Sequence, residues 1–169
     1  MRAGREIIEK YLAIEVALYI IIGATLGNLL GAGVWGFIHT LPQINSFTHG
    51  TQITASHAHF TTPGTYLFLF LGFAYIAIPA LSDRTNFSQL RGKITFWILV
   101  IGFLNMIIAL LLAGIIQVQL QRISGMSFME VQNILLPFYG WRTIGGVTAL
   151  IGWTGGGIRY DNYWQKEIN

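Results

Sequence analysis

Thr48-His49-Gly50-Thr51-Gln52-Ile53-Thr54-Ala55-Ser56-His57-Ala58-His59-Phe60 holds three of the chain's four histidines and opens an apolar run that continues to about Leu81. A run of that length exceeds the roughly 20 residues that an α-helix needs to cross a bilayer. In a helix, side chains advance about 100° per residue, so two positions apart means roughly 200°. His57 and His59 therefore leave opposite sides of one helix. They cannot chelate a single ion, as two histidines four apart do. Each can hold an iron of its own, because neutral imidazole is a natural axial ligand of heme. One helix wedged between two hemes is the expectation. The plainer alternative is that a histidine inside a span only bonds a neighbouring helix. Here that alternative needs two separate buried partners, one on each face.

The rest of the chain fits a membrane setting. Of its 169 residues, 53% are hydrophobic and 10% are charged, and its mean hydropathy is +0.57. Soluble domains carry about 25% charged residues. The net charge of +3 is no nucleic-acid signature, because the sparse basic residues sit at the ends of apolar runs. No nucleic-acid partner is expected; the bilayer is. Without cysteine there is no disulfide, thiolate-ligated heme or iron–sulfur cluster. The first ten residues are charged. The apolar run after them is too long for a signal-peptide core and shows no small-residue cleavage pattern, so it reads as a retained span.

Taken in order, the chain forms a single transmembrane unit over 1–169, with spans at about 12–38, 53–81, 94–120 and 137–158. The fold class is all-α. In the first span, Gly23, Gly27 and Gly31 recur every four residues and offer one face to another helix. Glu15 lies about one turn inside, either an acid on a proton route or, preferably, a carboxylate snorkelling to the interface. The polar loop from His39 to Gln52 has no Lys or Arg, and His39 reads as solvated or interfacial. Pro63 is expected to kink the second span. Asn105 in the third is expected to bond across helices. Ser127 and Glu130 have the spacing of a capping box and mark a short interfacial helix before the glycine-rich fourth span.

Four spans put both termini on one side. Eight of the ten Lys and Arg residues lie on that side, in the N-terminal segment, the second loop (Asp83, Arg84, Arg91, Lys93) and the tail (Arg159, Asp161, Lys166); only Arg122 and Arg142 lie on the other. The positive-inside rule places the termini in the cytoplasm and the His39–Gln52 loop outside.

The run Gly31-Ala32-Gly33-Val34-Trp35-Gly36-Phe37-Ile38-His39-Thr40-Leu41-Pro42-Gln43-Ile44-Asn45, then Thr48-His49-Gly50-Thr51-Gln52 and His57-Ala58-His59, resembles the catalytic subunit of bacterial nitric oxide reductases, in the heme-copper oxidase superfamily. That superfamily shows a histidine eight residues before a His-x-His pair, as His49, His57 and His59 do. Oxidases usually carry Asp after the first histidine; nitric oxide reductases carry Gly and then Thr-Gln, as Gly50, Thr51 and Gln52 do here. The resemblance covers roughly Ile14 to Ile158 and corresponds to the last four helices of a dozen-helix bundle.

The resemblance implies that His57 is the proximal ligand of a high-spin heme b at the active site. It implies that His59 is one axial ligand of a low-spin heme b that delivers electrons, and that His49 lies near the heme propionates. The second low-spin ligand and the histidines and glutamates of a non-heme iron sit on earlier helices in that family. They must come from a partner carrying the remaining transmembrane helices or from a missing segment. A separately encoded chain is suggested by Met1 and the basic first segment. The implied setting is the bacterial inner membrane, with a membrane-anchored cytochrome c subunit or a quinol as electron donor. The alternatives are nitric oxide dismutation, oxygen reduction, or a non-catalytic heme-binding or assembly subunit.

Overall fold

The computed structural model describes residues 2–81, 85–86, 89–155 and 159–160. Met1, Asp83, Arg84, Ile158, Asp161 and Lys166, named above, lie outside the described residues. The chain is an all-α membrane protein. Its helices are α1 (Arg2–Gly27), α2 (Gly36–Thr40), α3 (Pro42–Thr48), α4 (Gln52–Thr62), α5 (Phe68–Leu81), α6 (Gln89–Gln117) and α7 (Phe128–Gly155). A π-helical stretch, Asn28–Trp35, joins α1 to α2, so helical backbone runs unbroken from Arg2 to Thr40. A second, Pro63–Leu67, joins α4 to α5, and a third, Val118–Ile123, ends α6. Two short strands, β1 (Thr85–Asn86) and β2 (Arg159–Tyr160), pair antiparallel and tie the second loop to the tail.

Among the described residues, three helices are long and apolar enough to cross a membrane: Gln52–Ile78, Leu90–Ile123 and Phe128–Thr154. The first helix contributes two shorter apolar stretches, Ile14–Gly23 and Leu29–Thr40. Lipid tails are as apolar as leucine, so helices in a bilayer associate by close packing and hydrogen bonds rather than by escape from water. The contacts follow that rule. α7 packs chiefly on α6, α1 on α5, and α4 on α6. A Cβ on Gly102 would lie 2.3 Å from the Ala149 backbone nitrogen, and one on Gly145 would lie 2.6 Å from that of Met106. One on Gly152 would lie 2.5 Å from that of Leu99. Backbone meets backbone along α6 and α7, and the glycine-rich sequence of α7 is what allows it. Nearer the histidines, Phe68, Phe96, Phe103 and Ile107 join Val16, Ala17 and Ile20 in the principal core, with the Phe68 ring edge-on to those of Phe96 and Phe103.

Several expectations change in detail. At Pro63, the expected kink site, helical backbone continues. The proline's φ and ψ stay in the α region at −67° and −37°, and the missing N–H is absorbed by widening the following turn into a π-helix. The interfacial turn at Ser127 and the fourth span are one helix, which starts at Phe128 and runs through Pro137. Its start is a true capping box: Ser127 N–H and Oγ both donate to Glu130 Oε2, at 3.0 and 2.6 Å, and Glu130 N–H donates back to Ser127 Oγ at 3.4 Å. The glycine stripe of the first helix, Gly23 and Gly27 in α1 and Gly31 in the π-helical stretch, is closely packed at one position of three. Phe60 occupies the place of a Gly31 side chain, with ring atoms 1.3 Å from where Cβ would stand. Gly23 makes only ordinary contact with Phe96, and no atom lies within 4 Å of a Cβ on Gly27. Glu15 forms an exposed ion pair with Lys93 at 3.3 Å. Asn105 Oδ1 accepts from Trp141 Nε1 across α6 and α7 at 3.2 Å.

Candidate functional site at the histidine helix

Helix α4 is held at its start by its own sequence and by α6. Gly50 turns the chain from α3 with φ +73°, a conformation glycine adopts without strain. Thr51 then caps α4, its Oγ1 accepting from the N–H of Ile53 at 3.3 Å. The N–H of Gln52, another of the orphan donors of a helix start, is met by Gln117 Oε1 of α6 at 2.9 Å. Gln117 is buried and is held in turn by its Nε2 donating to Gln121 Oε1 at 3.1 Å. Gln52 Nε2 donates to Tyr139 Oη at 3.2 Å, and that hydroxyl donates to Gln132 Oε1. One turn into α4, the fully buried Ser56 donates its Oγ to the carbonyl of Ile107 at 3.0 Å.

Ser56 thus marks the side of α4 that faces α6. His57 and His59 follow at about +100° and −60° from it, on the two flanks. His57 turns toward the first helix. Its ring lies 5.9 Å from that of Trp35 and 5.3 Å from that of His39. Gly36 faces it with no side chain, and a Cβ there would stand 3.4 Å from His57 Nε2. Thr61, one turn on, donates Oγ1 to the His57 carbonyl at 2.8 Å and touches His57 Nε2 at 3.3 Å. Since the hydroxyl has one proton and the carbonyl takes it, the longer contact is the one that yields readily.

His59 is fixed differently. Its Nδ1 lies 2.8 Å from the carbonyl oxygen of Ala55. A carbonyl only accepts, so Nδ1 carries the proton and the lone pair is left on Nε2. That is the state in which an imidazole ligates a metal, with its far nitrogen tied to a backbone carbonyl. The two imidazoles thus differ in setting: His59 is fixed by a backbone carbonyl of its own helix, whereas His57 packs against Trp35, Gly36 and His39. Among the described residues, no three His, Cys, Asp or Glu side chains gather closely enough to hold a metal ion between them.

His49 is exposed and stands apart from the pair; Arg122 Nη2 donates to its backbone carbonyl at 3.2 Å. His39 departs from expectation. It is half-buried, accepts at Nε2 from Trp35 Nε1 at 2.9 Å, and lies against His57. The i, i+4 spacing of Trp35 and His39 carried that signal. Nothing local announced Gln117, which lies 65 residues from its partner. An apolar cavity of about 380 Å³ opens between α1, α4, α5 and α6, walled by Tyr19, Phe60, Phe68, Phe96 and Phe103; neither His57 nor His59 lines it.

Residues 7–148, which include this whole arrangement, match the model of the cytochrome c and quinol oxidase polypeptide I family. The chain belongs to that family. It is 38% identical over 139 residues to a nitric oxide reductase subunit of Stutzerimonas stutzeri, covering 78% of this chain and 29% of that protein. It is 29% identical over 124 residues to a cytochrome c oxidase subunit 1 homolog of Azorhizobium caulinodans, covering 69% of this chain and 22% of that one. A bacteroid homolog of the same oxidase polypeptide from Bradyrhizobium diazoefficiens matches equally, at 29% over 124 residues, 69% of this chain and 23% of that protein. The chain thus spans less than a third of the length of each of these relatives.

Proposed function

We propose that this chain supplies the heme-bearing helices of a membrane oxidoreductase that reduces nitric oxide. The observation that carries the proposal is the divergence of His57 and His59 from one helix, with the Nε2 lone pair of His59 set free by the Ala55 carbonyl. The likeness to the Stutzerimonas stutzeri nitric oxide reductase subunit and the Gly50-Thr51-Gln52 sequence after His49 support it. Bound heme supplies one-electron redox chemistry and, where one axial position is open, a place for a diatomic ligand.

The chain's own part is to orient two imidazoles. His57 would hold the high-spin heme b of the active site, and Thr61 braces that residue by donating its hydroxyl to the His57 carbonyl. His59 would be one ligand of the low-spin heme b, and a histidine from the remaining transmembrane helices would be the second. Those helices also bring the non-heme iron and its ligands. The whole assembly converts two molecules of nitric oxide, two electrons and two protons to nitrous oxide and water. Electrons enter from a membrane-anchored cytochrome c subunit or a quinol. The four helices lie in the bacterial inner membrane with the termini in the cytoplasm, and His49 stands near the heme propionates on the outer side.

Oxygen reduction is the second reading, favoured by the two relatives named as cytochrome c oxidase subunit 1 homologs. Turnover of the assembled complex with each gas separates the two. The ligand assignment is tested by His57→Ala and His59→Ala in that complex, read by electron paramagnetic resonance and reduced-minus-oxidised optical spectra. His59→Ala should empty or convert the low-spin heme and spare the high-spin signal. His57→Ala should do the reverse and abolish nitric oxide turnover. Unchanged spin states in both variants would sink the assignment.

A further inference from the structure

Helix α6 touches α4 at three heights on one face. Ile107 O accepts from Ser56 Oγ at 3.0 Å. Seven residues on, Gly114 lies so close that a Cβ would stand 2.2 Å from the Ile53 backbone nitrogen and 2.8 Å from the Gln52 carbonyl carbon. Three further on, Gln117 Oε1 accepts from the Gln52 N–H at 2.9 Å. Steps of seven and then three residues keep all three positions on one side of α6. The polar members are sealed: Ser56 is 0% exposed and Gln117 2%. Two directional bonds at different heights, with a backbone contact between them, leave a helix no freedom to turn about its own axis.

We infer that Ser56 and Gln117 are positioning residues that set the rotation of α4, and through it the directions of His57 and His59 together. The inference rests on the heme-ligand reading above. His57 and His59 flank Ser56, so a turn of α4 about its axis swings both imidazoles off line at once, one toward α6 and the other away from it. Loosening either bond must perturb both hemes in one variant, although neither residue touches a heme.

The test uses the assembled complex. Ser56→Ala deletes the hydroxyl. Gln117→Met keeps the length of the side chain and deletes the acceptor. Gln117→Glu keeps an acceptor oxygen for the Gln52 N–H, while the Gln121 amide, flipped, donates to the second carboxylate oxygen. In Ser56→Ala and Gln117→Met, the low-spin paramagnetic signal and the high-spin optical band should shift in the same preparation, or both hemes should be lost. Gln117→Glu should restore wild-type positions for both. Hemes retained at wild-type positions in Ser56→Ala and Gln117→Met would overturn the inference. So would a shift confined to one heme, or equal behaviour of Gln117→Met and Gln117→Glu. A wild-type complex without heme would overturn the ligand reading itself, and the rotation argument with it.

Discussion

Gly114→Ala is a one-carbon change whose effect can be worked from contacts. The added Cβ would sit 2.2 Å from the Ile53 backbone nitrogen, 2.5 Å from Ile53 Cγ1 and 2.8 Å from the Gln52 carbonyl carbon. Two of these are main-chain atoms and cannot swing aside. To restore an ordinary contact, the start of α4 must retreat by about 1 Å, a gap that forfeits a quarter to a half of the dispersion energy of the atoms along it. The Gln52 N–H···Gln117 bond, now 2.9 Å, would stretch beyond hydrogen-bonding reach. Overpacking costs about 1–3 kcal/mol, and a buried N–H left without a partner costs a further 1–3 or so. Alanine's better helix propensity returns roughly 1 kcal/mol. The net expectation is a loss of about 1–5 kcal/mol. The assay is thermal unfolding of the assembled complex in detergent, beside heme content. Gly140→Ala is the control, because nothing lies within 4 Å of a Cβ there; it should match or exceed wild type. If Gly114→Ala melts with Gly140→Ala and keeps its hemes, the close approach of α4 to α6 is wrong.

At the α6–α7 crossing, Gly102→Ala and Gly145→Ala should each destabilise by about 1–3 kcal/mol. The double variant should cost less than their sum, because both force the same separation; full additivity in unfolding measurements would count against a shared contact. Ser127→Ala should cost roughly 1 kcal/mol of α7 stability, read as faster hydrogen exchange over the first turn after Phe128 and not at the far end of the helix. Cysteines placed singly at Ser46 and Asn169 should label differently with an impermeant reagent applied outside intact cells: Ser46→Cys reacts and Asn169→Cys does not. The opposite pattern would invert the topology.

Much of this arrangement can be read from the chain because it is local or periodic. Apolar length marks the membrane helices, and the 100° advance per residue alone sends His57 and His59 apart. The Ser127–Glu130 box is a four-residue pattern and appears as such. What cannot be read depends on which residues meet across helices. Gly23, Gly27 and Gly31 are equivalent in sequence, yet only at Gly31 does a ring from another helix, that of Phe60, fill the place of a side chain. His39 looks like a loop residue until α4 brings His57 against it. Pro63 announces a lost N–H but not the π-turn that absorbs it. Gln117 and Ser56 resemble ordinary small polar residues near a helix end and in a helix. Their roles exist only in the pairing of α4 with α6.

The widened turn at Pro63–Leu67 also bears on how the gene for such a helix can change length. An i→i+5 turn holds one residue more than an α-turn needs. A deletion of one codon within it closes the turn to an ordinary α-helix, and the aromatic residues beyond keep the faces they have now. The same deletion anywhere in Gln52–Thr62 has no such slack, and it swings one part of the helix about 100° against the other, histidines included. Single-residue length variants of this helix should therefore gather at Pro63–Leu67, so that a gap in an alignment falls after His59 and not before it.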